Sequence, residues 1–285
     1  MRKTNDLTLQ SEQSKMPKNK SPLRYPGGKT RAVNILEKYI PLGTHTLLSP
    51  FLGGGSFEIF MHDRGLTVHA NDLFKPLATF WNIVKTRPSE LVSRVREHMP
   101  VSKEAFVTMR LGIQELTDDL EIASRYYIIN RCSFSGSTFC GGFSLEASQK
   151  RLTESSLKTL SELSIPRLSI SNMGYSDFLD EHPDEDGTMI YADPPYYISS
   201  YIYGRDGDMH EGFDHQGFAN KIKSRKNWVL SYNDCPYIRE LYADCRIIRE
   251  SWSYGMNNGK KESSEVVILP ALLEDDPLDR REIQQ

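Results

Sequence analysis

Residues 45–60 read His-Thr-Leu-Leu-Ser-Pro-Phe-Leu-Gly-Gly-Gly-Ser-Phe-Glu-Ile-Phe. An apolar strand candidate, His45–Phe51, runs into three consecutive glycines and then a helix candidate, Ser56–Asp63. Glycines let the backbone turn sharply and come close to a ligand, and the helix start behind them offers free N–H groups. Neither the G-x-G-x-x-G nor the Walker spacing is present. Asp72 ends the next strand candidate, Thr67–Asn71, where a carboxylate can take both hydroxyls of a ribose. Outward from this unit, further strands are expected at Arg167–Asn172, Thr188–Ala192, Trp228–Tyr232, Arg246–Ser251 and Glu265–Leu269. Helix candidates Thr30–Tyr39, Gly217–Ser224 and Pro236–Tyr242 lie among them. Such alternation predicts an α/β fold with a mainly parallel sheet.

One interval breaks the alternation. From about Lys75 to Thr159 the pattern is mostly helical, and it contains the Ser/Gly/Cys/Phe-rich stretch Asn130–Ser144, read as a glycine-rich hairpin or loop. The predicted organisation is a flexible basic arm over 1–20, a catalytic domain in two pieces over 21–74 and 160–272, an insertion over 75–159 and an acidic tail over 273–285.

Two further segments carry chemistry. Asp193-Pro-Pro-Tyr196 follows the apolar strand Met189–Ala192, at the strand end where ligands of open α/β sheets bind. The prolines fix the backbone and remove two N–H donors, so the Asp193 carboxylate and Pro194 carbonyl suit an amino group with two hydrogens to donate. Tyr196 adds a flat face for a planar base. Arg24-Tyr-Pro-Gly-Gly-Lys29 is a turn that can place Tyr25 and Lys29 over an anion or an adenine ring.

Composition narrows the field. With 38% hydrophobic residues, a net charge of −3 and four cysteines, the chain can build a core, and no apolar run approaches the ~18 residues of a membrane helix. The first twenty residues lack the apolar centre of a secretory signal. Cys132, Cys140, Cys235 and Cys245 have neither metal-ligand nor disulfide-framework spacing, so no metal is expected and reduced thiols in a cytosol-like compartment are. Residues 1–31 carry eight Lys/Arg against two acids, enough for a phosphate-touching arm.

In this order, Arg24–Lys29, Phe51–Ser56, Asp72 and Asp193–Tyr196 resemble the Dam-like (D12, alpha-group) DNA adenine-N6 methyltransferases. Ser176-Asp-Phe178, Phe213-Asp-His215, Leu230–Asp234, Ile238–Tyr242 and Lys261–Val267 extend the resemblance over about Pro22–Leu269. It implies a Rossmann-like S-adenosylmethionine-dependent methyltransferase sheet with an inserted, mostly helical DNA-recognition subdomain. Carried over, Tyr25, Lys29, Phe51, Gly53, Gly55, Ser56, Asp72, Asp177, Phe178 and Asp193 are expected at S-adenosylmethionine. Asp177 and Phe178 would hold its adenine, and Asp193, Pro194 and Tyr196 would be catalytic. Arg131, Ser133, Phe134, Gly136 and Tyr197 are expected at double-stranded DNA. GATC-specific relatives carry Arg five residues after the Phe of the hairpin motif. Phe139 stands there, which leaves Arg131 or a residue outside the hairpin to read the site.

The implied chemistry is direct in-line transfer to a flipped-out adenine, with N6 drawn toward sp³ by Asp193 and the Pro194 carbonyl. The absence of a Pro-Cys nucleophile fits, since Cys235-Pro236 has the reverse order. The rivals are N4-cytosine methylation, methylation of a protein glutamine, and an idle DNA-binding regulator. Asp rather than Ser or Asn at position 193 favours adenine, and the intact tetrapeptide favours an enzyme. A monomer or weak dimer in the cytoplasm of a bacterial or phage-infected cell, with or without a paired restriction enzyme, completes the expectation.

Overall fold

The computed structural model describes residues 19–197, 212–252 and 265–273. These form one sheet in the order β3-β2-β1-β4-β5-β7-β6. The strands are β1 (Thr46–Ser49), β2 (Thr67–Asn71), β3 (Leu168–Ser171), β4 (Thr188–Ala192), β5 (Trp228–Asn233), β6 (Arg246–Glu250) and β7 (Glu265–Leu269). The first five run parallel, and β7 runs antiparallel to both β5 and β6. The central strands read as near-continuous apolar runs because helices cover both faces, whereas β6, Arg-Ile-Ile-Arg-Glu, is the mixed strand at the sheet's edge.

Strand order reverses between β1 and β4, and the crevice at that switch point is where open α/β sheets take ligands. The loops after β1, β2 and β4 all open there. The expected helix over 30–39 shortens to α1 (Val33–Leu36) and a 3-10 turn, Glu37–Tyr39, ahead of Pro41. Helix α2 (Ser56–Asp63) follows the glycines as expected.

The insertion carries α3 (Lys75–Thr86), α4 (Pro88–Glu97), α5 (Lys103–Gly112), α6 (Asp119–Cys132), α7 (Leu145–Arg151) and α8 (Glu154–Glu162). Helix α6 is buried on most of its sides, Asn130 and Ser124 included, because α3, α4, α5 and α7 pack about it. Phe80 of α3 stacks on Tyr127 of α6 at 5.9 Å between centroids. The hydrophobic core is continuous from these helices to one face of the sheet, so the insertion is packed onto the sheet rather than tethered to it. A second core, on the other face, is built from α9 (Tyr175–Glu181), α10 (His215–Lys223), α11 (Pro236–Leu241) and the strands beneath them.

The stretch 130–144 is not a hairpin ladder. Asn130–Cys132 is the last turn of α6, and two 3-10 turns follow, closed by a single bridge between Ser133 and Phe143. It lacks alternating apolar residues, and side chains hold its shape instead. The Ser133 hydroxyl donates to the Asn130 carbonyl and accepts the Thr138 N–H. The basic arm up to residue 18, most of the acidic tail and residues 261–264 lie outside the described residues.

Candidate active site

A cleft of about 450 Å³ opens at the switch point. Its floor begins at the glycine turn. Gly55 has φ of 64°, and a Cβ there would come within 2.8 Å of the Trp81 ring. A Cβ on Gly54 would approach Tyr25 Cβ to 2.7 Å. Close approach therefore requires glycine at both, and Tyr25 lies over the turn as one cleft wall. Trp81 Nε1 donates to the Gly53 carbonyl, so the first inserted helix steadies the turn.

Asp72 closes the far end. Its carboxylate accepts the N–H of Gly53 at 2.9 Å and of Phe74 at 3.0 Å. Burial nevertheless pushes the carboxyl up to about 6. Asn71 braces the neighbouring loops: its amide donates to the carbonyls of Pro50 and Met173, and its oxygen accepts the Met173 N–H. Three strand-end loops are thus bonded into one rigid rim.

At the carboxyl end of β4, Asp193 holds two partners. Lys29 Nζ reaches both carboxylate oxygens, at 2.7 and 2.5 Å, and Ser231 Oγ donates to Oδ1 at 2.9 Å. Lys29 is 4% exposed and stands 5.0 Å from the centroid of the Tyr196 ring. The Tyr196 hydroxyl donates to Glu265 Oε2 at 2.7 Å in a buried contact. Asp193, Pro194 and Pro195 line the cleft; Tyr196 sits behind them, and Tyr197 is exposed, tilted against Tyr237 at 4.5 Å.

The structure brings together Tyr25, Lys29, Phe51, Gly53, Gly55, Ser56, Asp72, Asp193 and Pro194 on one cleft. Two expected members depart. Phe178 is fully buried in the second core against His182, and Asp177 is exposed on the first turn of α9. Neither lines the cleft; their neighbours Gly174, Tyr175 and Ser176 do. Tyr175 opens the helix at the cleft, and Phe178, nearly a full turn further along the same face, already lies within the second core. Tyr175, Phe51 and Phe213 form an aromatic trio with centroids 5.6–5.7 Å apart.

Of the residues expected at DNA, Phe134 stands out into solvent at 68% exposure. Arg131 is turned inward: its guanidinium donates to the Arg151 carbonyl and to the Pro22 carbonyl. Ser133 is fully buried, and Gly136, at φ of 74°, packs on Arg24. These three shape the loop from within. Phe139, at the position of the relatives' Arg, is 5% exposed against Phe74 and Tyr126 and faces the cleft.

Four residues were given no site role by the sequence reading. Tyr175 stands beside the quoted Ser176–Phe178 motif and Phe213 inside the quoted Phe213–His215 motif, so their aromatic type could have marked them. Asn130 ties the insertion to the cleft, its amide donating to the Arg24 carbonyl and its oxygen accepting the Arg24 N–H. Glu58 lines the cleft, 3% exposed, and accepts the Ser49 hydroxyl at 2.7 Å. Among the described residues, no group of three His, Cys, Asp or Glu is placed to hold a metal ion, and no helix is long and apolar enough to cross a membrane.

A reversed-order sheet, a glycine turn under an aromatic wall and a strand-end Asp-Pro-Pro-Tyr define a Rossmann-like methyltransferase. The model of the D12 class N6 adenine-specific DNA methyltransferase family matches residues 25–256, and the chain belongs to that family. It is an adenine-specific DNA methyltransferase, and a methyl donor is implied. Similar proteins include the Type II methyltransferase M1.LlaDCHI of Lactococcus lactis subsp. cremoris, 24% identical over 87% of this chain and 94% of the relative. The Type II methyltransferase M.CviBI of Paramecium bursaria Chlorella virus NC1A is 23% identical, over 77% and 85%. The DNA adenine methylase of Escherichia coli K12 is 25% identical, over 89% and 96%.

Proposed function

We propose that the chain moves a methyl group from S-adenosylmethionine to the N6 amine of a flipped-out adenine in double-stranded DNA. The observation that carries this reading is the single cleft joining Asp72, the glycine turn, and Asp193 with Pro194. The donor set suits a nucleoside with an amino-acid tail. Asp72 has acceptor lone pairs left for ribose hydroxyls, glycine backbone is approachable, and the trio of Phe51, Tyr175 and Phe213 offers flat faces to an adenine. Tyr25, Gly53, Gly55 and Ser56 would hold the tail. Once bound, S-adenosylmethionine supplies an electrophilic methyl group.

The chain's own part is to present the amine. The Asp193 carboxylate and the Pro194 carbonyl accept the two N6 hydrogens and turn the nitrogen lone pair outward for in-line attack. Lys29 and Ser231 keep the carboxylate from swinging away, so the gain comes from positioning and a preorganised charge. Tyr196, pinned by Glu265 behind Pro194 and Pro195, would back the base as a planar support, with Tyr197 as its exposed neighbour. A base can reach this depth only by leaving the duplex, and Phe134, an exposed ring on the loop after α6, would take its space. A monomer or weak dimer, working in the cytoplasm of a bacterial or phage-infected cell, fits the reading.

Transfer of tritiated methyl to DNA followed by nucleoside analysis tests it. N6-methyladenine is expected. N4-methylcytosine would keep the geometry and overturn the base, and the absence of labelled DNA would overturn the reading.

A further inference from the structure

Three ionisable side chains meet where the glycine turn faces the strand-end aspartate. Lys29 and Asp193 are bonded to each other and cancel. The third is Glu58, which the mechanism above does not use. It is the third residue of α2, so its side chain leans back over the preceding turn and into the cleft. Around it stand the Ser49 hydroxyl from β1, its own backbone N–H, Asp193 beyond β4, Lys29 from the Pro-Gly-Gly turn, and Tyr191 of β4 lining the same wall. Asp72 lies in the same cleft with its oxygens on backbone N–H groups. Glu58 is therefore a buried carboxyl with no cation of its own among the described residues, facing the space where the donor's reactive end has to lie.

Resting on the methyl-donor reading, we propose that Glu58 tells the cationic donor from its neutral demethylated product, losing its proton to solvent when the first binds and keeping it with the second. S-adenosylmethionine carries a sulfonium, an ammonium and a carboxylate, hence one net positive charge. S-adenosylhomocysteine has a neutral thioether and no net charge. A buried carboxylate without a cation is costly, so the empty-handed group stays protonated. A ligand that brings the missing cation stabilises the ionised form, and one that does not leaves the proton in place. Burial is the leading cause that pushes the Glu58 carboxyl up to about 7, with Asp193 adding to it and Ser49 and Lys29 opposing. The exchange therefore falls near neutrality. The consequence is product release: loss of the sulfonium removes the charge that favoured binding.

The test is titration calorimetry of the full chain with each ligand near neutral pH, in two buffers of different ionisation heat, which counts the protons released. Both ligands carry the ribose hydroxyls proposed for Asp72, so any proton from Asp72 cancels in the difference between them. Wild type should release about half a proton more with S-adenosylmethionine than with S-adenosylhomocysteine. The ratio of the two affinities should grow about tenfold between pH ~6 and ~8. Glu58→Gln should abolish both effects. Ser49→Ala, which removes a donor that favours the ionised form, should move the midpoint to higher pH. Equal proton counts for the two ligands in wild type, or a difference that persists in Glu58→Gln, would overturn the inference while leaving the methyl-donor reading intact. Failure of both ligands to bind wild type would overturn that reading and the inference with it.

Discussion

The ammonium of Lys29 is seated on both carboxylate oxygens of Asp193, with the lysine side chain 4% exposed and the aspartate 23%. The tetrapeptide alone presents Asp193 as a free strand-end group whose removal leaves the core intact. The ion pair changes that expectation. Asp193→Ala strands a buried ammonium, at a cost of about 1–3 kcal/mol once partial exposure is allowed for. Asp193→Asn keeps an acceptor for Lys29 and should melt closer to wild type. Both should lose at least ~10² in methyl transfer, the scale of a removed orienting group. Melting curves beside tritium-transfer rates separate the two effects, and activity in Asp193→Asn near wild type would contradict the proposed role.

Glu58 also makes a stability prediction. Its carboxyl has an ordinary value of 4.5 and is raised by burial to about 7. The folded chain holds the proton over that window while the unfolded chain has lost it. The favourable contribution is therefore complete below the unfolded value and lost as pH rises through the folded one. Above it, wild type carries a desolvated charge worth roughly 2–3 kcal/mol. Glu58→Gln should melt higher than wild type at about pH 8.5, with the gap closing by about pH 5. A gap that does not change with pH would place its cause elsewhere than in ionisation.

The aromatic trio predicts cofactor affinity. Tyr175→Ala should weaken S-adenosylmethionine by roughly tenfold, since a stacked aromatic face contributes about 0.5–1.5 kcal/mol beyond its buried area. Phe178→Ala should instead lower the melting temperature, because that ring is fully buried in the second core. Calorimetric titration and thermal melts on the two variants should give opposite patterns.

Asp72→Ala should weaken S-adenosylmethionine tenfold or more, each hydrogen bond to a charged acceptor contributing ~1.5–3 kcal/mol. The carboxylate also holds the Gly53 and Phe74 N–H groups, so Asp72→Asn is the cleaner comparison. Unchanged affinity in Asp72→Asn would remove this residue from the ribose site.

Phe134 and Phe139 separate DNA contact from packing. Phe134→Ala removes an exposed ring and should reduce DNA binding at an unchanged melting temperature. Phe139→Ala opens a hole beside Phe74 and Tyr126, costing about 3–5 kcal/mol. Gel-shift titrations with melts would report it if Phe134 were instead part of the packing.

All seven strands lie within two residues of their reading: the five parallel ones and β7 are short buried runs bounded by Gly, Pro and charge, and the edge strand β6 showed through its β-branched Ile247-Ile248 pair. The site was legible where chemistry is local, as in the glycine turn, Asp72, and Asp193 with Pro194. It was not where distance in sequence intervenes. The partner of Arg131 is a carbonyl twenty residues on, at Arg151, so the side chain reads as a free base-reader. Glu58 drew no reading at all, because a periodicity count ignores the backward lean of helical side chains near an N-terminus. Phe178 lies almost one turn beyond Tyr175, the residue that opens α9 at the cleft, and a three-residue motif does not fix where its helix begins.

Asn130 clasps the backbone of Arg24 from both sides, and Gly136 leaves no room for a Cβ against the same residue. The loop that carries Phe134 and the turn that carries Tyr25 and Lys29 are thereby one piece of machinery cast in two lengths of chain. Anyone retargeting the enzyme by transplanting the loop from a relative inherits a mismatch at Arg24 unless residues 21–29 travel with residues 130–143. The exchangeable module for redesign is discontinuous, and chimaeras cut at the boundaries of the insertion should lose turnover before they change what they recognise.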